Sequence, residues 1–504
     1  MQRFDDLVLG AGMGGLAAAA LLARSGRRVG VLEAHDVPGG YAHSFGVRGY
    51  RFCAQVHYIF GCGEGEGVHA LLTELGIAEQ VPFLRLDPEG FDHVVVAGER
   101  FRVPNGLEKH RDRLVRRFPE SRRALFDYFD CVRRIADELA ELEALPERPS
   151  FGFVVRNAWR YRHLVRHLRS TLGMLFDAVD MPPLLRAVLA GQSGDYLLPP
   201  RDVSLLLHVA LVAGYDRGAY YPKHHYHHLV ESLAGVIAEC PGSAVLLERE
   251  VTRIEVEAGR VASVATRMGE TFAAERVISN IDPRRTAELV GRAHFDRADR
   301  ARLGYDYSAA TFTMYLGISG LDLREHGFGS FNVWRYPHAD LDRIYDRQLR
   351  DHDSSDPWLF LSTPTLHSSE PGIAPPGHHI LEVATALDYR PWKELRERDR
   401  RAYYRGKNEL RDRVLDILEA EFVPDLRKHL TLRLTGTGAT NERFCGAPEG
   451  NSYGAALTPA HVGLRRRPFR TSIPNLWMVG ATAGFPSVAG ALGAGRTLAH
   501  SLLE

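Results

Sequence analysis

A short apolar run, Leu7-Val8-Leu9, stops at Gly10 and leads into Gly12, Gly14 and Gly15, and no other stretch restricts the fold of this chain as strongly. An apolar run ending on glycine reads as a buried parallel strand. Residues 14–25, rich in Ala and Leu, read as a helix, and Val29, Val31 and Leu32 as the next strand. The stretch is therefore a compact βαβ unit with a glycine-rich turn at its first junction. Gly10 lets the chain turn sharply out of the strand, Gly12 removes a side chain that would block a pyrophosphate, and Gly15 lets the helix pack on the sheet. The helix start then turns free N–H groups and the positive end of its dipole toward phosphate. Glu33 follows Gly10 by 23 residues, at the end of the second strand, where a carboxylate accepts hydrogen bonds from ribose hydroxyls and disfavours a 2′-phosphate.

Gly39-Gly40, just past the Glu-bearing strand, suggest a second approach of backbone to the same dinucleotide. The unit resembles the FAD-binding fold of the glutathione reductase class. More closely, Pro38-Gly-Gly-Tyr-Ala-His-Ser-Phe45, Gly49-Tyr-Arg-Phe52 and Val56-His-Tyr-Ile59 resemble the phytoene desaturase superfamily, in particular its carotenoid isomerase and retinol saturase branch. The resemblance implies FAD as cofactor, with Gly14, Ala34 and Tyr41 joining Gly10, Gly12, Gly15, Glu33, Gly39 and Gly40 in holding it.

Further along, Val68–Leu75 reads as a short helix and 91–103 as a hairpin turning at Gly98. Residues 107–142 form amphipathic helices with a charged, solvated face. The stretch 184–189 and the run from Ser204 to Tyr215 are apolar nearly all round, which suits helices buried in a core or along a lipophilic tunnel. Short strands over 244–280 resemble the piece that completes an FAD domain, with Val251 near the adenine and Asn280 returning to the cofactor. Strands at 311–318, 359–363 and 380–385 and a helix over 403–422 suit a substrate-side sheet. The stretch 440–454 again resembles the retinol saturase branch. The strand 475–480 ends at Gly480, and the last helix starts near Val488 with Gly490, Gly493 and Gly495 allowing close packing. That helix start, including Ala489, can point its dipole at the flavin edge where negative charge collects on reduction. The family usually has an acidic residue soon after the strand glycine; Ala481-Thr482 stand there instead.

Lys+Arg and Asp+Glu both number 63, so no net field attracts nucleic acid, and none is expected as a partner. Five cysteines without a CxxC speak against a disulfide framework or zinc site and suit a reducing cytoplasm. Lysine supplies only five of the 63 basic residues, a bias of GC-rich bacterial genomes. The chain enters its first strand too early for a signal peptide, and its longest apolar stretch is too short to span a bilayer. Residues 156–169 interleave bulky apolar side chains with Arg and His. A helix of that kind suits either a solvated basic face or peripheral contact with an anionic membrane.

The family's Tyr-Pro-x-Gly-Gly loop beside the flavin ring is matched by Tyr221-Pro222-Lys223, with His224 and His225 in place of the glycines. These imidazoles can shape the pocket or exchange protons, which makes His224 and His225 catalytic candidates, and His57 joins them because it stands in the Val56-His-Tyr-Ile59 stretch that resembles the retinol saturase branch. A metal bound by His224, His227 and His228 finds no second ligand motif, and no metal is expected.

The expected fold is α/β: a discontinuous, glutathione-reductase-class, Rossmann-like FAD domain (1–75, 216–295 and 440–504) with a mixed α+β substrate domain (76–215 and 296–439). The expected activity is FAD-dependent saturation, desaturation or cis–trans isomerisation at C–C or C=C bonds of a hydrophobic polyene or isoprenoid-like substrate. A flavin amine or porphyrinogen oxidase, or a non-catalytic prenyl-binding protein such as the GDP-dissociation inhibitors, would share the fold.

Overall fold

The computed structural model describes residues 1–143, 151–368, 370–462 and 466–504. Its first sheet is assembled from distant parts of the chain. Gln2–Leu9 lies parallel to Val29–Leu32 on one side and to Thr271–Ser279 on the other. Ala244–Leu246 extends the sheet beyond Val29–Leu32, and Leu476–Met478 pairs with the last residues of Thr271–Ser279. The first residues of that long strand instead take the hairpin Val251–Glu257 and Arg260–Thr266, antiparallel, on the same edge. Leu7, Val8 and Leu9 are completely buried, as a parallel strand covered on both faces requires.

The helix Met13–Arg24 packs between His225–Glu239 and Val488–Leu503, and everything from Met13 to Ala23 is buried. Small residues set the distance to the last helix. A Cβ on Gly495 would stand 2.3 Å from the carbonyl oxygen of Gly14 and 2.9 Å from Ala17 Cβ, so backbone lies against backbone there. The two ends of the polypeptide are thereby fixed side by side.

The second sheet runs in the order Leu430–Gly436, Ala310–Ile318, His379–Leu387, Leu359–Ser362, Asn332–Tyr336, Asp92–Val96, Glu99–Val103. All neighbours are antiparallel except Asn332–Tyr336 with Asp92–Val96. Its alternation separates two cores. Val333, Leu361 and Val383 pack with Leu410, Val414 and Leu418 of the helix Arg400–Glu421. Trp334, Phe360 and Ala384 point the other way, into the cluster shared with the helical lobe.

That lobe contains Leu107–Arg117, Arg122–Glu143, Leu172–Ala178, Pro183–Leu189 and Leu205–Asp216. His208 interrupts the apolar run of the last of these and is buried; Tyr128 Oη lies 2.7 Å from its Nε2 and Tyr196 Oη 3.0 Å from its Nδ1. Burial without a counter-charge pushes this imidazole down to about 3, so it is a neutral link between tyrosines.

The basic stretch 156–169 differs from expectation. It is not one helix but the end of Phe151–Arg156, a turn, and Arg162–His167. The reason is Glu138, whose carboxylate accepts from the backbone N–H groups of His163 (3.2 Å) and Leu164 (2.8 Å) and so starts a new helix. Arg160 is tied to Glu141 at 2.9 Å. Among the described residues, no helix is long and apolar enough to cross a membrane.

Candidate functional site

The parallel strands end at a common edge, and a cleft of ≈ 520 Å³ opens there. Gly10, Glu33, Asn280 and Val479, each directly after the last residue of a parallel strand, all line it. This is where open α/β sheets bind their ligands.

Gly10 takes φ +92°, and a Cβ on Gly15 would stand 2.5 Å from the Gly10 carbonyl oxygen, so both glycines are required by the turn and by helix-on-strand packing. Gly12 has a further reason beyond phosphate access. Its Cβ would meet Asn280 Nδ2 at 2.5 Å, and Asn280 also fills the space beside Gly15 (3.0 Å) and Gly480 (2.9 Å). Asn280 is the centre around which both chain ends close. Helix Met13–Arg24 has no side-chain cap at Gly12, so its first N–H groups remain available to an anion. Glu33 is fixed by two backbone donors, Ala11 N–H at 2.6 Å and His35 N–H at 2.9 Å. Held this way, each of its oxygens keeps a lone pair for a ribose hydroxyl.

Gly39 (φ +118°) and Gly40 (φ +56°) bring the next turn back over the first, Gly39 N–H donating to Ala11 O at 2.8 Å. The Tyr41 hydroxyl donates to the Asn451 carbonyl, and burial pushes its phenol well above the usual tyrosine range. At the far end, Gly480, Ala481 and Thr482 line the cleft together with Ser487, Val488 and Ala491. Ser487 sits at φ +132°, a strained conformation for a residue with a side chain, and its Oγ caps the last helix by accepting from Gly490 N–H at 2.9 Å.

Gly10, Gly12, Gly14, Glu33, Ala34, Gly39, Gly40, Tyr41, Val251, Asn280, Gly480, Ala481 and Val488 therefore all lie on one cleft. Gly15 lies beneath it and Ala489 beside it, Val488 and Ala491 being the residues of that helix turn that face in. The sequence reading missed His43, Arg249, Asp282, Arg285 and Tyr453. Asp282 had a visible signal, since Asp-Pro before a helical stretch is a helix start; its Oδ1 caps Pro283–Val290 and accepts from Tyr307 at 2.8 Å. An uncapped helix start, a fixed ribose acceptor and a second helix start at the opposite end fit FAD.

The candidate histidines are not among the cleft's lining residues. His224 pairs with Glu370 at 2.6 Å, and His228 Nε2 with the Gln80 carbonyl at 2.7 Å. No three potential ligands lie close enough for a metal ion among the described residues. His225 is buried at φ +65°, so the left-handed backbone that the family's glycine permits is kept here by a histidine. Its Nδ1 is 3.3 Å from Ser44 Oγ, its Nε2 has no partner, and burial pushes it down to about 3. His57 directly follows Val56, which lines the cleft. Its Nδ1 lies 2.7 Å from Glu382 Oε2, and Glu382 is 1% exposed, in the middle of His379–Leu387. Burial raises the Glu382 carboxyl above its ordinary range, against the lowering pull of His57.

This fold and cleft define a flavin-dependent oxidoreductase. The model for the flavin containing amine oxidoreductase family matches residues 13–503, and the chain belongs to that family. FAD is its cofactor and, when bound, supplies hydride chemistry at its N5 edge. The all-trans-retinol 13,14-reductase of Danio rerio is 27% identical over 534 residues, covering 100% of this chain and 86% of that protein. Prolycopene isomerase 1 of an Oncidium hybrid cultivar is 25% identical over 493 residues, covering 95% and 80%. Both bear out the resemblance to the retinol saturase and carotenoid isomerase branch. Among solved structures, an oxidoreductase from Methanosarcina mazei matches with TM-score 0.66 at 18% identity over 99% of each chain, and a putrescine oxidase with 0.66 at 15% over 100% and 99%. These two share the fold.

Proposed function

We propose that this enzyme acts on C=C bonds of a hydrophobic polyene or isoprenoid-like substrate, by saturation or by cis–trans isomerisation. The observation that carries the reading is full-length similarity to a retinol reductase and a prolycopene isomerase, both acting on existing double bonds. Residues 1–75, 216–295 and 440–504 hold FAD in this reading, and 76–215 with 296–439 hold the substrate. His57, oriented by Glu382, is the acid–base group beside the cleft; its Nε2 is free of any partner among the described residues. A buried carboxylate that accepts from Nδ1–H fixes the tautomer and leaves Nε2 as the proton-accepting atom. When the flavin is reduced anaerobically and mixed with all-trans-retinol or prolycopene, reoxidation identifies a saturase, and isomerised product without reoxidation an isomerase. No reaction with any polyene, together with rapid flavin reduction by an amine, would sink the proposal.

Peripheral membrane contact through 156–169 belongs to the same reading, because a polyene is delivered from lipid. Trp159 is 77% exposed between Arg156 and Arg160 on this broken helical stretch. Aromatic and basic residues together suit an anionic surface. Trp159→Ala with Arg160→Glu should reduce pelleting with phosphatidylserine vesicles; equal pelleting of variant and parent removes the membrane from the proposal.

A further inference from the structure

A relay of side-chain amides runs along the cleft wall, and one backbone carbonyl fixes the direction of all of it. Asn441, 3% exposed, stands 3.0 Å from the Gly450 carbonyl oxygen, which can only accept, so the atom turned toward it is Nδ2. Its Oδ1 then faces Gln55 at 3.3 Å, and Gln55 must present Nε2 there. That leaves Gln55 Oε1 toward Thr311, whose hydroxyl donates to it at 3.0 Å. The Gln55 amide therefore has one orientation. Its carbonyl and one N–H are used within the protein, while its second N–H has no acceptor among the described residues.

The amide is held rigidly and faces the cleft. Ala54, directly before Gln55, donates its N–H to the His43 carbonyl at 3.0 Å and accepts from the Tyr315 hydroxyl at its own carbonyl. Gln55 and Thr311 both line the cleft, and Gln55 keeps accessible surface where Thr311 and Asn441 are buried.

Two observations place it along the cleft. Thr311 belongs to Ala310–Ile318 and is the only residue of the second sheet's strands, among the described residues, that lines the cleft. Beside it, Tyr453 N–H donates to Ser308 Oγ at 2.9 Å and Ser452 N–H to the Ala309 carbonyl at 3.2 Å. Two residues on, Ala455 N–H reaches Thr482 Oγ1 at 3.2 Å, at the end of the cleft where the last helix starts. Glu33 holds the ribose end, so Gln55 stands on the side where the flavin ring meets a substrate carried by the second sheet.

We propose that Gln55 donates its remaining N–H to the rim of the bound flavin ring and so favours the reduced state. This rests on the reading of 296–439 as the substrate side, and not on which substrate is bound. Reduction makes the acceptors on the ring's rim more negative, and a hydrogen bond to a charged acceptor is stronger than one to a neutral one. Because Thr311 and Asn441 already fix the amide, no reorganisation opposes the gain.

The test compares flavin-loaded wild type with Gln55→Met and Gln55→Asn. Methionine keeps the length without the N–H groups. Asparagine keeps an amide but withdraws it from the cleft by one methylene, so the test survives if Gln55→Met loses the fold. At unchanged flavin content, the ratio of reduced to oxidised flavin at a fixed potential should fall about tenfold in the variants, a drop of about 30 mV in a two-electron midpoint read against a redox dye. An unchanged midpoint overturns the proposal. Weaker FAD binding at an unchanged midpoint also overturns it, by moving the contact to the ribityl chain, and so does a raised midpoint, which means a bond to the oxidised ring. A wild type that leaves all-trans-retinol and prolycopene untouched, while the variants show the lowered midpoint, sinks the proposed function and leaves the role of Gln55 standing.

Discussion

Gly495→Val should give a protein that is purified without flavin. Position 495 lies where the last helix crosses the first, and any Cβ there meets the Gly14 carbonyl oxygen at 2.3 Å and the Ala18 nitrogen at 3.0 Å. Neither neighbour is the far end of a flexible side chain, so the helices must separate. Overpacking of this kind costs about 1–3 kcal/mol. The functional cost is larger, because Gly14, Ser487, Val488 and Ala491, all on the cleft, belong to or border these two helices. Gly493→Ala is the control. A Cβ there meets nothing within 4 Å, so the exchange should gain up to about 1 kcal/mol of helix propensity. Flavin absorbance per mole of protein and Tm with and without added FAD are the measurements. A flavin-loaded Gly495→Val protein with parental Tm would refute the claim that the two chain ends together form the cofactor site.

The parts of the molecule that could be read from sequence are those in which one residue's backbone geometry dictates its identity. Gly10 at φ +92° and Gly39 at φ +118° announce themselves in any sequence, and a buried parallel strand leaves an uninterrupted apolar run such as Leu7-Val8-Leu9. The role of Asn280 was only half legible. Its place after a strand showed, but not that its amide occupies the space left by Gly12, Gly15 and Gly480, which depends on three segments meeting. The basic stretch 156–169 was misjudged as one helix because the residue that breaks it, Glu138, lies in another helix. The partners of the candidate acid–base groups were invisible for the same reason. His57 and Glu382 are 325 positions apart. A lone glutamate inside Ile380-Leu-Glu-Val-Ala-Thr385 was nevertheless a signal, since a carboxylate in a buried strand needs a partner.

Glu382→Gln should slow turnover about 10²-fold while leaving flavin content unchanged. Glutamine keeps the volume and can still accept from His57 Nδ1–H, but it carries no charge to favour that tautomer or to stabilise an imidazolium. Loss of His57 itself, as His57→Gln, removes the same proton-transfer path. If the two residues act as one unit, the double variant should be no slower than the slower single variant, because effects within a unit do not add. Stability should move the other way with pH. The Glu382 carboxyl is raised by burial, so between the ordinary carboxylate range and its folded value the native state binds more protons than the unfolded chain, and stability falls as pH rises. Glu382→Gln, which cannot ionise, should escape that loss, and its Tm should gain on the parent's as the pH is raised. Rates that multiply in the double variant would separate His57 from Glu382 and leave the imidazole as a packing residue beside the cleft, and a Tm difference independent of pH would refute the raised carboxyl.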